Sequence, residues 1–116
     1  MKVELELNDR AFNAINNGTK KVEIRVKTPN STVIYKLLKY DDYIKFVNTN
    51  NDKIVCRVLK VNWYKTIRRL LEVEGTLYTL SSTNDIEEGI RSINSFKDYE
   101  KSIKANGVYA IHIRKI

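Results

Sequence analysis

The chain is poor in almost every residue that announces a built-in chemistry. Its 116 residues include one cysteine, one histidine, one proline, one tryptophan, one methionine and four glycines. A lone Cys56 cannot close an internal disulfide. It lies in the apolar run "KIVCRV", where a buried packing thiol is expected, since a thiolate nucleophile needs a basic partner and the only histidine is far along the chain. One histidine, no CxxC pair and no carboxylate cluster at ligand spacing leave no metal site to expect. Neither GxxxxGK(S/T) nor GxGxxG occurs, so no nucleotide-driven chemistry and no cofactor are expected. No apolar run approaches the ~20 residues of a membrane-spanning helix, and no signal-peptide pattern opens the chain; a cytoplasmic, reducing compartment is the default.

Acidic residues are the other shortage: 14 against 21 Lys and Arg, for a formal charge of +7. That balance favours polyanionic partners. Its placement says more. Between Lys53 and Leu71 there are six basic residues (Lys53, Arg57, Lys60, Lys65, Arg68, Arg69) and no acid, with Asn62, Trp63 and Tyr64 inside the block. Cations with interleaved aromatics suit single-stranded RNA, whose phosphates need charge and whose splayed bases need a π-face. A solvated basic surface beside core aromatics would read the same way.

Hydrophobic residues at 42% and charged residues at 30% are ordinary for a globular chain, and the length predicts one domain over residues 1–116. Val3, Leu5 and Leu7 alternate with Lys2, Glu4 and Glu6 as a half-buried strand. Asn8 or Asp9 can cap a short helix with Ala11, Phe12 and Ile15 on one face, ended at Gly18. A strand follows at about 21–27, then a loop at Pro29. The segment 33–42 fits a strand end or a helical turn. Residues 43–48 and 53–62 predict a β-hairpin around "TNND". Ile67, Leu70 and Leu71 mark a helix closed near Gly75, and Ile86, Ile90 and Ile93 mark another with capping boxes at Asn84/Glu87 and Asp85/Glu88. Ser95 and Asp98 predict a third start, for a helix carrying Phe96, Tyr99 and Ile103. A closing strand covers 108–116, with Tyr109, Ile111 and Ile113 on one face. The sum is an α+β fold of five to six strands and three to four short helices, a curved sheet or small barrel with its site in a cleft beside the helices.

The stretch "GTKKVEIR" (18–25) carries the functional question. Period two places Val22, Ile24 and Val26 on one face and Lys21, Glu23 and Arg25 on the other. The apolar face belongs to the core; the charged face fits either water or the wall of a cleft. Exposed pairs of this kind contribute well under ~1 kcal/mol each, so stability is a poor reason for the pattern.

Here the sequence resembles the ASCH domain, a branch of the PUA-like superfamily, along nearly its whole length. The most specific match is the G-x-K-x-x-E-x-R pattern at Gly18, Lys20, Glu23 and Arg25. It is joined by the D-x-I-x-F strand at Asp42, Ile44 and Phe46, and by the strand–aromatic–helix run through Trp63, Tyr64, Ile67 and Leu71. Asp41 stands where the family often has glycine, and aspartate tolerates positive φ better than most residues. The resemblance implies a PUA-like β-barrel whose cleft is lined by the motif strand, with RNA or a nucleoside-like molecule as ligand. Some bacterial relatives deacetylate acetylcytidine and others are reported as ribonucleases. The amidohydrolase branch has a threonine where this chain has Glu23, and Thr19 lies at the wrong offset to replace it.

Within that cleft, Lys20 would bind phosphate or stabilise an oxyanion, Glu23 would accept from a base amine or act as general base, and Arg25 would fork onto a phosphate or base edge. Parity sets Lys20 with Val22, unless the strand begins only at Lys21 and Lys20 still belongs to the turn; Lys20 is then the site residue and Lys21 its exposed neighbour. Trp63 or Tyr64 would supply a stacking face, with Lys65 and Arg68 on the backbone, although Trp63 also fits a core position. If the protein is an enzyme, Lys20 and Glu23 would be its catalytic pair, with Glu72 or, preferentially, Glu74 as a further acid. His112 fits a structural strand histidine better than a catalyst. An RNA or nucleoside-like partner is expected, and no membrane.

Overall fold

Five strands and four helices follow one another along the chain, and the computed structural model describes residues 1–116. Strand β1 (Lys2–Glu6) leads into helix α1 (Asp9–Asn16), strand β2 (Val22–Arg25) and a single 3-10 turn at Tyr35–Leu37. Strands β3 (Tyr43–Val47) and β4 (Lys53–Tyr64) form the hairpin. Helices α2 (Ile67–Glu74), α3 (Ile86–Asn94) and α4 (Tyr99–Asn106) precede the closing strand β5 (Val108–Lys115). The strands form one mixed sheet in the order β1-β3-β4-β5-β2, with β1 parallel to β3 and every other pair antiparallel. The sheet curls into a half-barrel, so its two edges, β1 and β2, come to face each other. A bulge between Val58 and Lys60 breaks the β4–β5 register, a device that bends a strand.

Local signals explain most of the boundaries. The Asn8 side chain accepts from Ala11 N at 2.8 Å, and Gly18 ends the α1 segment at φ +84°. Thr66 caps α2 and Asp85 caps α3 through its bond from Glu88 N. Asp41 adopts φ +76°, the positive φ expected of that turn. The third capping box fails: Ser95 is the last cap of α3, and Phe96 lies outside any helix. Asp98 caps α4 at φ +66° without a side-chain bond. Segment 33–42 resolves as the 3-10 turn, and β2 is shorter than its alternation suggested, starting at Val22.

Two cores share the sheet. Inside the curl, Leu5, Phe12, Ile15, Ile44, Phe46, Cys56, Ile111 and Ile113 pack together, with α1 closing one end. Outside it, Val22, Ile24 and Val26 pack with Leu70, Leu71, Ile93, Ile103, Val108 and Ala110 beneath helices α2 to α4. Both faces of β2 are therefore covered. Glu23 pairs in register with Ile111 and Arg25 with Tyr109, which places these two charges on the inner face, at the open seam of the barrel.

Candidate functional site

Lys20, Glu23 and Arg25 converge. Gly18 turns the chain out of α1, the Lys20 amide bonds Ala14 O at 3.0 Å, and Lys20 still belongs to the turn when β2 begins. Its side chain is buried. The ammonium donates to the carbonyls of Val22 (2.8 Å) and Thr79, and lies 3.5 Å from Glu23 Oε1. The other oxygen of Glu23, Oε2, accepts from Arg25 Nε at 2.7 Å, and Arg25 Nη2 crosses the seam to Glu6 O at 2.7 Å. Two basic groups thus share one buried carboxylate. Burial pushes Lys20 below the usual lysine range, with Glu23 pulling the other way. Arg25 is held above its ordinary value: burial acts against its charge, and Glu23 with the nearby tyrosines outweighs it.

These side chains form one wall of a cleft of about 240 Å³. Leu7 and Ala11 enter from the β1–α1 end, Thr79 to Ser82 from the loop after α2, and Ile93, Phe96 and Tyr99 from the α3–α4 corner. Phe96 is exposed and meets Tyr99 edge-on, ring centroids 5.4 Å apart. Arg10 stands at the rim, its Nε 3.4 Å from Ser81 Oγ.

The other residues singled out from the sequence lie elsewhere. Lys21 is exposed, its ammonium 4.8 Å from the centre of the Tyr78 ring. Trp63 is 54% exposed, so the core position read for it is corrected: it sits at the end of β4, its indole N–H bonded to Asn106 O and its ring against Gly107. Lys65 is exposed next to it. None of Trp63, Tyr64, Lys65 or Arg68 lines the cleft. The basic block is acid-free only in sequence. In space Arg57 meets Asp41 (3.1 Å), Arg68 meets Glu87 (2.7 Å) and Arg69 approaches Glu72 (3.9 Å).

Glu74 and His112 form a second polar centre. The Glu74 side chain, 7% exposed, accepts from Asn62 Nδ2 (2.8 Å) and Tyr64 Oη (2.6 Å), and its Oε1 lies 2.8 Å from His112 Nε2. Burial acts to raise this carboxyl, and the three bonds together hold it below the usual range. Burial and the Glu74 carboxylate push the Tyr64 phenol up to about 12. Glu74 directly precedes the loop that supplies one wall of the cleft. The next residue, Gly75, accepts from Thr79 Oγ1 at 2.7 Å, and the Thr79 carbonyl takes the Lys20 ammonium. No group of three or more metal-ligating side chains comes together.

A family model described as the ASCH domain matches residues 5–116. Two solved structures are similar over essentially their whole length. The crystal structure of hypothetical protein PH0355 is 29% identical, with a TM-score of 0.83 and all of both chains covered. The solution NMR structure of protein PF0455 from Pyrococcus furiosus is 31% identical, with a TM-score of 0.76, and covers all of this chain and 98% of its own. No protein with a curated description matches.

Proposed function

Because the chain belongs to the ASCH domain family, we propose that residues 1–116 act as one RNA-binding unit, with the cleft at Lys20, Glu23 and Arg25 receiving a base and its phosphate. The observation that carries this reading is the buried triad itself. Two cations and a carboxylate held out of water are a poor device for stability, because well-packed apolar side chains do as well or better. They are a good device for a ligand that brings a negative charge and a polar edge into a sheltered hollow. Phe96, exposed at the cleft wall, offers the stacking face that Trp63 and Tyr64 do not offer there. Arg10 at the rim adds a cation for the backbone.

Titrating short single-stranded RNA at several salt concentrations tests the reading. Each neutralised phosphate contributes a slope of about −0.7 in log K against log salt for single strands. A slope of about −1.4, one phosphate each for Arg25 and Arg10, that shrinks by about 0.7 in Arg25→Ala is the expected result. Binding that ignores salt, or none near physiological ionic strength, discards it.

A hydrolytic reading rests on one observation, the buried Lys20 amine whose proton is held less firmly than usual beside Glu23. No hydroxyl stands at position 23, and the Thr79 hydroxyl is bonded to Gly75 O. Turnover of acetylcytidine or of single-stranded RNA that disappears in both Lys20→Met and Glu23→Gln would favour this reading over binding alone.

A further inference from the structure

The cleft does not end at Arg25. Beyond its guanidinium lies a second, more open hollow of about 470 Å³, and Glu6, Arg25 and Tyr99 line both. The sheet explains the partition. Strands β1 and β2 are its two free edges and form no ladder with each other. Where they approach, the Arg25 Nη2 bond to Glu6 O joins them. The seam is one groove with a guanidinium laid across it.

Its two halves differ chemically. The first combines apolar walls (Leu7, Ile24, Leu80, Ile93, Phe96) with the buried charges. The second is lined by the Pro29 loop. There the Thr28 amide donates to Ser31 Oγ at 2.9 Å and fixes the turn, while Asn30 and Thr32 are exposed and free to bond a ligand. Glu4, which lines this half alone, makes it a poorer seat for a phosphate and a good one for the amines and hydroxyls of a nucleotide. The seat for a phosphate is the bar between the halves. Arg25 spends Nε on Glu23 and one Nη2 hydrogen on Glu6 O, and Nη1 enters no bond.

We propose that the groove binds two successive nucleotides of a single strand, one in each hollow, with the phosphate that links them on Arg25 Nη1. This rests on the reading of the first hollow as a nucleotide site, and it extends that site to two successive nucleotides of the strand. A free nucleoside would leave the second hollow and the Arg25 Nη1 donors to water.

The test compares the four nucleoside 3′-monophosphates with the sixteen dinucleoside monophosphates by calorimetry at fixed ionic strength. A monophosphate carries at least as much charge as a dinucleoside monophosphate, so a gain on adding the second nucleoside is not electrostatic. The expected result is a gain of tenfold or more for at least one dinucleotide over its own monophosphate. Thr32→Trp and Asn30→Trp, bulky changes at exposed positions of the second hollow, each remove that gain and leave monophosphate affinity in place. Dinucleotides that bind no more tightly, or a gain that survives both variants, overturn the second hollow and leave the first standing. Absence of binding by all twenty molecules overturns both.

Discussion

The Lys20 ammonium and the Glu23 carboxylate lie 3.5 Å apart on side chains only 6% and 7% exposed, and every other bond of that ammonium goes to a backbone carbonyl. Lys20 therefore ties the β2 strand to the loop after α2 as well as facing the cleft. Lys20→Met leaves the Val22 and Thr79 carbonyls and one Glu23 oxygen without their donor, and should cost about 3 kcal/mol in denaturant unfolding. The sign of its pH dependence is fixed by burial. A lysine whose folded value lies below 10.5 sheds its proton earlier in the folded protein, so the wild type gains stability as pH rises toward 10.5. The penalty of Lys20→Met should grow over that alkaline range; a penalty constant up to pH 10.5 would contradict the assignment.

Arg25→Lys tests the geometry of the seam. A lysine keeps the charge and cannot hold Glu23 and Glu6 O at once, as the guanidinium fork does. Stability should fall by about 1–2 kcal/mol and RNA affinity by tenfold or more. Equal affinity would mean that net charge alone, and not the fork, is what the ligand meets.

Much of this was legible beforehand, and what was not has physical reasons. Period-two alternation gave β5, the β3–β4 hairpin and the covering of Val22, Ile24 and Val26. Alternation says which residues share a face and not what covers the other one; that depends on how the sheet curls and on how β1 comes round to face β2. The motif, rather than the pattern, selected Lys20 over Lys21, and the turn after Gly18 is where the two agree. Ion pairs across the fold were invisible for the same reason, so the block from Lys53 to Arg69 looked bare of acids until Asp41 and Glu87 came to its side. Phe96 and Tyr99 read from their spacing as residues of one helix, and that spacing carries no sign of a cleft. The one available signal was the Ser95–Asp98 break, where a chain leaving a helix turns an aromatic out to water.

Phe96 and Trp63 separate the two aromatic proposals. Phe96→Ala, at an exposed cleft position, should lower RNA affinity by roughly 1–3 kcal/mol, the usual range for a stacked base, and change stability little. Trp63→Ala removes an indole bonded to Asn106 O and seated on Gly107, outside the cleft, so it should change stability and leave RNA affinity alone. The reverse outcome would move the stacking face to the end of β4.

Glu74 supplies the acid-side counterpart to Lys20. Its carboxylate is held below the usual 4.5 because the bonds to Asn62, Tyr64 and His112 together outweigh burial, the largest single influence, which acts to raise it. A carboxyl depressed in the folded state contributes stability that is fully present above its unfolded value and lost as pH falls through its folded one. Glu74→Gln keeps the shape and the acceptor toward Asn62 and Tyr64 but removes the charge and leaves an amide N–H against His112 Nε2, which can take it only as the other tautomer; it should cost about 1–3 kcal/mol at pH 7. That difference should narrow steadily as pH drops below about 4.5, where the wild type protonates and loses the same contribution. Because Gly75 and Thr79 connect this residue to the Lys20 ammonium, the variant should also weaken RNA binding at neutral pH. Unfolding midpoints that stay parallel down to pH 3 would show that the Glu74 carboxyl titrates alike in the folded and unfolded chain, and an unchanged RNA affinity would show that the loop holds its place without it.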